Sequence, residues 1–350
     1  MKKVTVLIVD DSALIRNLLS EIINSNNFLE VVGTSADPYE AREKIKTLKP
    51  DVITLDVEMP RMDGITFLKN LMRLRPMPVL MISTLTEKGS DITLKALELG
   101  AVDYIAKPKV SVAEKLTELA DDITTKIRIA AKANISAYSE HSQPVKVPTI
   151  SSSRKKVMKD DVSLIAIGAS TGGVEATKRL LSLLPKEMPP IVIVQHMPAG
   201  FTTSYAKRLD GYLDATVTEF SGQEKRLLPE NVYIANGSQH LAVRTSAGRV
   251  LAYCQDSDPV NRHRPAVDVL FNSVAEFVKG QAIGVLLTGM GVDGAAGMSE
   301  LEKTGAITIA QDEASSVVWG MPRVAIEQGA AKYTLSLDKI APFLIERCYG

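Results

Sequence analysis

Cysteine is nearly missing from this 350-residue chain: Cys254 and Cys348 are its two cysteines, far apart in sequence. That is too few for a four-ligand zinc site or a disulfide framework, and the pair reads as free thiols in a reducing compartment. Histidine is almost as scarce, with 4 residues, His141, His196, His240 and His263, scattered without metal-ligand spacing. A net charge of one sign is also lacking, because 41 basic residues match 41 acidic ones. No overall field draws the chain to nucleic acid or to an anionic membrane, so partners must be recognised locally. Long apolar runs are absent as well, none approaching the roughly 18 residues of a membrane span. The opening "MKKVTVLIVDDSAL" stops being apolar at Asp10 and Asp11, too early for a signal peptide, and reads as a first strand of a cytoplasmic protein. No repeat of fixed period is present.

What remains is an ordinary globular composition, 45% hydrophobic and 23% charged, in a chain long enough for two domains of roughly 150 residues. From residue 1 to about 130, "VTVLIV", "LEVVG", "DVITL", "PVLMIS" and "VDYIA" are strand candidates separated by helical patterns. That alternation predicts a parallel sheet with helices on both faces, whose chemistry gathers at the carboxyl ends of the strands. Residues 131–160 lose hydrophobic periodicity and collect Ser, Pro, Lys and Asp, the composition of a linker; "RKKVMK" within them reads as solvated charge, and no helix-turn-helix pattern follows. Strand-like runs resume at "SLIAIG", "PIVIVQ", "VYIA", "AIGVLLTG" and "AITIA", with helical patterns near 174–184 and 264–279. A second α/β domain, doubly wound on a parallel sheet, is therefore expected over 161–350.

Asp10, Asp11, Asp56 and Lys107 all fall on the carboxyl edge of the first sheet. Carboxylates there suit a small hard cation, Mg²⁺, and the cation with the lysine would neutralise a phosphoryl group arriving at Asp56. Taken singly, Asp11 or Ser12 equally suits a helix cap. "VDDS" at 9–12, "DVEMPRMDG" at 56–64, Ser83 after "PVLMI" and "YIAKP" at 104–108 resemble the receiver domains of two-component response regulators, of flavodoxin-like (βα)5 fold. The resemblance implies Asp56 as phosphoacceptor, Mg²⁺ held by Asp10, Asp11, Asp56 and the backbone carbonyl of Glu58, Lys107 on the phosphoryl group, and Ser83 and Tyr104 as switch residues.

"GASTG" at 168–172 fits the G-x-S-x-G pattern, in which glycines permit a strained strand-to-helix turn that exposes the serine hydroxyl, but a packing or phosphate-binding loop fits it equally. It lacks the lysine of a P-loop and the spacing of a dinucleotide site. His196 favours the nucleophile, because a βαβ unit places Ser170 and His196 on one sheet edge, with neighbouring strands about 4.8 Å apart. Asp293, in the glycine-rich loop after "AIGVLLTG", is the candidate to orient the imidazole, and N–H groups around Met290 suit an oxyanion hole. Among the rivals, His240 follows "ANGS", which resembles a hairpin turn, and His263 lies in the basic loop "NRHRP"; both suit structural or substrate-contact roles. Asp256, Asp258 and Asp268 do not directly follow a strand of the same edge.

"IGASTGG", "QHMP", "DPVNRHRPAVDVLF", "LLTGMGVDGAAGM" and "AQDEASSVVWGMPRVAI" together resemble the catalytic domain of the chemotaxis protein-glutamate methylesterases, from about residue 161 onward. The resemblance implies a triad of Ser170, His196 and Asp293, with Thr171 and Met290 around the oxyanion and no organic cofactor. It further implies hydrolysis of glutamyl methyl esters on chemoreceptors and deamidation of receptor glutamines, controlled by a receiver that a chemotaxis histidine kinase phosphorylates. A receiver tethered to a non-catalytic module that binds a receptor or a nucleotide is the alternative expectation.

Overall fold

The computed structural model describes residues 2–59, 62–84, 87–107, 118–137 and 161–349. Its contacts divide the chain into two compact units, Met1–Tyr138 and Ser139–Gly350. No described helix is long and apolar enough to cross a membrane. The expected linker lies, from residue 138 on, outside the described residues, and with it "RKKVMK" and His141.

In the first unit, β1 (Val4–Val9), β2 (Leu29–Ser35), β3 (Val52–Asp56), β4 (Val79–Thr84) and β5 (Asp103–Lys107) form one sheet in the order β2-β1-β3-β4-β5. Every pairing is parallel. This is the flavodoxin-like order, in which the chain reverses direction across the sheet between β1 and β3. Buried runs such as Val6–Val9 and Ile53–Leu55 reflect a sheet covered on both faces. Helix Ala13–Ser25 starts at Ser12, whose hydroxyl accepts the N–H of Ile15. Asp11 is left exposed.

The second unit is built on seven parallel strands: β6 (Leu164–Ala169), β7 (Ile191–Gln195), β8 (Thr216–Phe220), β10 (Asn231–Ala235), β13 (Ala282–Leu286), β14 (Ile307–Gln311) and β15 (Tyr333–Leu335). Their order is β15-β14-β13-β6-β7-β10-β8. The chain starts at the central strand β6, builds outward through β7, and returns to lay β13 on the other side of β6. The carboxyl ends of β6, β7 and β13 thus surround a topological switch point, the crevice where such sheets bind ligands.

A smaller antiparallel sheet, in the order β11-β12-β9, combines β9 (Lys225–Arg226), β11 (His240–Ser246) and β12 (Arg249–Gln255). Its hairpin turns at Ala247 and Gly248, both with positive φ. "ANGS" is therefore not a hairpin: Asn236 accepts the N–H of Ser238 on its side-chain oxygen in a local turn that carries the chain out of the parallel sheet into this second one. Helix Val267–Phe277 joins the two sheets, burying Leu270, Phe271 and Val274 with Leu164 and Ala166 of β6 and Leu241 and Val243 of β11. Each large side chain so buried contributes about 1.5–3 kcal/mol. That packing sets the position of the helix N-terminus, next to the switch point.

Candidate active site

Ser170 follows β6 and His196 follows β7, and the register pairs Ala169 with Gln195, so the two residues extend adjacent strand tips. The backbone of Ser170 is tied down on three sides. Its N–H donates to Thr288 O at 3.0 Å, and its carbonyl accepts Gly173 N–H at 2.7 Å and Gln195 Nε2 at 2.9 Å. The left-handed position that the turn requires falls on Gly172, at φ +78°, and Ser170 is not among the residues with positive φ. A glycine relaxes that turn without distorting the serine. Gly173 serves a close approach instead, since a Cβ there would stand 2.3 Å from Gln195 Oε1 and displace the side chain that holds Ser170.

His196 presents its Nε2 to Asp293 Oδ2 at 2.7 Å, with the two side chains 6% and 1% exposed. Asp293 also accepts the N–H of Val267 at 2.6 Å, the N–H of Asp268 at 3.1 Å and Asn261 Nδ2 at 2.8 Å. Helix Val267–Phe277 has no side-chain cap of its own. Its free N–H groups and positive dipole end are satisfied by a carboxylate from a distant loop. Burial alone would raise the Asp293 carboxyl, but the bond and charge of His196, with Asn261 and the Val267 N–H, hold it down at about 2. An ionised Asp293 fixes a proton on His196 Nε2, so that in the neutral tautomer the lone pair lies on Nδ1. Nδ1 is buried and without a hydrogen-bond partner among the described residues, so no bond to the Ser170 hydroxyl is formed in this state. The free basic nitrogen is therefore Nδ1.

Around the serine, Thr171 is buried and its carbonyl lies 3.0 Å from Thr288 Oγ1. A Cβ on Gly289 would stand 2.7 Å from Ser170 Cβ, so the Gly289–Met290 backbone runs directly against the serine. The N–H of Met290 has no backbone acceptor among the described residues. His263 stacks face to face on His196, ring centroids 3.7 Å apart and planes 11° apart, and restrains the imidazole plane. His240 has a structural place: its ring nitrogens meet Asp258 O at 3.0 Å and the N–H of Ala266 at 3.1 Å, a pairing met by the neutral Nε2–H tautomer. Arg264 is tied back to Asp256 and Ser257. Two residues that sequence reasoning passed over join the cluster, Gln195 and Asn261; an asparagine before "RH" signals a turn and nothing more.

At the carboxyl edge of the first sheet, ligand atoms of Asp10, Asp11 and Asp56 lie within 4.8 Å of one another. Lys107 Nζ stands 3.0 Å from Asp10 and 3.2 Å from Asp56. Burial, followed by the charge of Asp10, pushes the Asp56 carboxyl up to about 6, against the pull of Lys107. One ammonium does not neutralise three carboxylates, two of them buried, and a divalent cation fits both the excess charge and the all-oxygen donor set. Glu58 is exposed just beyond β3. Ser83 is buried with its hydroxyl 3.4 Å from Gly89 O, and buried Tyr104 lies with its ring 5.3 Å from Lys126 Nζ.

Comparisons with known proteins agree for both units. A family model described as CheB methylesterase matches residues 165–344, and one described as response regulator receiver domain matches residues 6–120. The chain is 54% identical over 99% of its length to a protein-glutamate methylesterase/protein-glutamine glutaminase of Vibrio vulnificus, of which the match covers 98%. A protein of the same description from Bordetella parapertussis is 52% identical, with 99% of this chain and 98% of that protein covered. Among solved structures, the CheB methylesterase catalytic domain of Thermotoga maritima matches with a TM-score of 0.51 and 42% identity, covering 53% of this chain and 98% of its own.

Proposed function

Because the chain belongs to the CheB methylesterase family and carries a response regulator receiver domain ahead of the esterase sequence, we propose that it hydrolyses glutamyl methyl esters on chemoreceptors and deamidates receptor glutamines, activated by phosphorylation of Asp56, in chemotactic adaptation. In this reading residues 1–130 are the receiver, 131–160 the linker and 161–350 the methylesterase, working in the cytoplasm. The observation that carries it is a serine and a histidine on paired strand tips, with the histidine bonded to a buried, ionised aspartate. Relatives described as esterase and glutaminase leave the non-catalytic binding module without support.

Ser170 Oγ attacks the side-chain carbonyl as its proton passes to His196 Nδ1, and the tetrahedral oxyanion forms beside the Met290 N–H and Thr171. Asp293 holds the imidazolium at Nε2. The proton on Nδ1 then goes to the departing methanol, or ammonia from an amide, leaving an acyl-enzyme. Water gives a proton to Nδ1, attacks the acyl carbon and releases the glutamate with Ser170 restored.

In the receiver, Asp56 takes the phosphoryl group from the chemotaxis histidine kinase with Lys107 beside it, while Ser83 and Tyr104 respond to the new charge. Asp10, Asp11, Asp56 and the Glu58 carbonyl would hold Mg²⁺, which when bound offsets the crowded negative charge of carboxylate and phosphate.

Methanol release from methylated receptor membranes tests the central claim. Wild type is expected to release methanol faster with a small phosphodonor, and Asp56→Asn to release it at one rate with or without the donor. Stimulation of Asp56→Asn equal to wild type would remove Asp56 from the regulation. The metal has its own readout. Above about pH 6 Asp56 is ionised and crowds Asp10, a cost to the folded state that protonation removes as pH falls. Mg²⁺ is therefore expected to raise the Tm of wild type more at pH 7 than at pH 5, and a Tm indifferent to Mg²⁺ at both would count against the ion.

A further inference from the structure

Resting on the triad reading above, we propose that Asn261 is a positioning residue: its side-chain amide bridges the buried carboxylates Asp293 and Asp268 and sets the rotation of Asp293 that turns Oδ2 toward His196.

The turn that carries it is tight. Val260 and His263 exchange both backbone hydrogen bonds, at 3.0 and 2.9 Å, around Asn261 at φ +52° and Arg262 at φ +68°. Two consecutive left-handed residues make a type I′ turn, a conformation that asparagine tolerates. Although Asn261 is exposed as a residue, its amide reaches inward, with Nδ2 2.7 Å from Asp268 Oδ2 and 2.8 Å from Asp293 Oδ1. An amide nitrogen carries two hydrogens, and here each meets a different carboxylate.

The consequence for Asp293 is a division of labour between its oxygens. Oδ1 is occupied by Asn261 and the Asp268 N–H, which leaves Oδ2 to the Val267 N–H and His196. Asp268 is fixed in turn, because its Oδ1 accepts the N–H of Gly297 at 2.7 Å, in helix Ala295–Lys303 just after Asp293. Two carboxylates this close repel one another, and burial together with Asp293 pushes the Asp268 carboxyl up. The amide supplies donors to both without adding charge. A lysine would donate as well, but its charge would oppose the imidazolium that Asp293 exists to stabilise.

The titratable and charged groups around this bridge are His196 after β7, Asp268 at the helix start, His263 stacked on His196, exposed Arg262 on the same turn, and Arg264 held by Asp256. None of these supplies the two donors that Asn261 brings.

The test uses the full chain and methanol release from receptor membranes. Asn261→Gly keeps the left-handed turn and removes the amide. Its kcat is expected to fall about 10- to 100-fold, the effect of a misplaced catalytic group, with KM within about twofold of wild type. Asn261→Asp keeps the shape, removes both donors and adds a negative charge that favours the protonated imidazole. The acid limb of its rate profile is expected to move to higher pH, and its low-field imidazole N–H resonance to shift; a merely structural role would scale the rate equally at every pH. Should Asn261→Gly not fold, the profile and resonance of Asn261→Asp decide. Wild-type kcat and an unmoved profile in the variants, in a protein whose turnover is lost in Ser170→Ala, overturn the role of Asn261 alone. Wild type without turnover that depends on Ser170 overturns the triad reading with it.

Discussion

Ser170→Ala is expected to cut methanol release by about 10⁴- to 10⁶-fold, the range seen when the nucleophile of a serine hydrolase is removed. The substitution deletes one hydroxyl and little else. The turn is held through the backbone of Ser170, by Thr288 O, Gly173 N–H and Gln195 Nε2, and none of these bonds uses the side chain. The variant should therefore melt at the wild-type temperature and bind receptor membranes as wild type does. Single-turnover methanol release and a thermal scan on one preparation separate chemistry from folding. A loss of less than tenfold would return "GASTGG" to the role of a packing loop.

Asp293→Asn is expected to lose about 10⁴-fold in kcat, the magnitude known for the equivalent exchange in serine proteases, and stability as well. Its four partners are all donors. An asparagine that turns its NH₂ to the Oδ2 side confronts the Val267 N–H and draws the imidazole into the wrong tautomer, with the proton on Nδ1 where the base is needed. Turned the other way, the NH₂ confronts the Asp268 N–H and Asn261. Either placement leaves a buried donor unsatisfied, at about 1–3 kcal/mol. The wild-type carboxylate, held at about 2 against an ordinary 3.8, contributes about 2 kcal/mol that is full above pH 3.8 and is lost as pH falls through 2. Urea unfolding at pH 7 and at pH 3 measures this: the gap between wild type and Asp293→Asn should narrow as the pH drops. A gap that stays constant would mean that the ionised carboxylate is not the stabilising group.

Both parallel sheets were legible because their strands are short β-branched runs buried on two faces, and such runs stand out against amphipathic helices. In the second unit β8, β9, β11, β12 and β15 were not legible as strands, β8 and β12 for the complementary reason. "TVTEF" exposes Thr216 and Thr218 at the edge of its sheet, and β12 is only partly buried, so neither offers a continuous apolar signal. The sites divide similarly. Ser170 and His196 sit directly on strand tips, where topology alone places them together. The link from His196 to Asp293 spans 97 residues, and only the shape of the loop after β13 closes it. Asn261 was invisible because its signal is a turn conformation, and what the amide touches depends on the packing of helix Val267–Phe277. The glycines of "GASTG" mark the turn, but the pattern alone does not say which of its residues is left-handed.

The position of β6 at the middle of its sheet has a consequence for the chain as it is made. Ser170 and His196 emerge from the ribosome early, and their two strands can pair as soon as the intervening helix has formed. Asp293, the Met290 N–H and strand β13, which supports them, arrive about a hundred residues later and dock on the opposite side of β6. At the 5–20 residues per second of synthesis this is a delay of roughly 5–20 s. During that interval the nascent protein holds a serine and a histidine without the carboxylate that orients the imidazole, and helix Val267–Phe277, made late in it, waits for the carboxylate that caps it. On the triad reading, hydrolytic competence is thus among the last properties the growing chain acquires, and products that end before Asp293 are expected to be at least as impaired toward esters as Asp293→Asn.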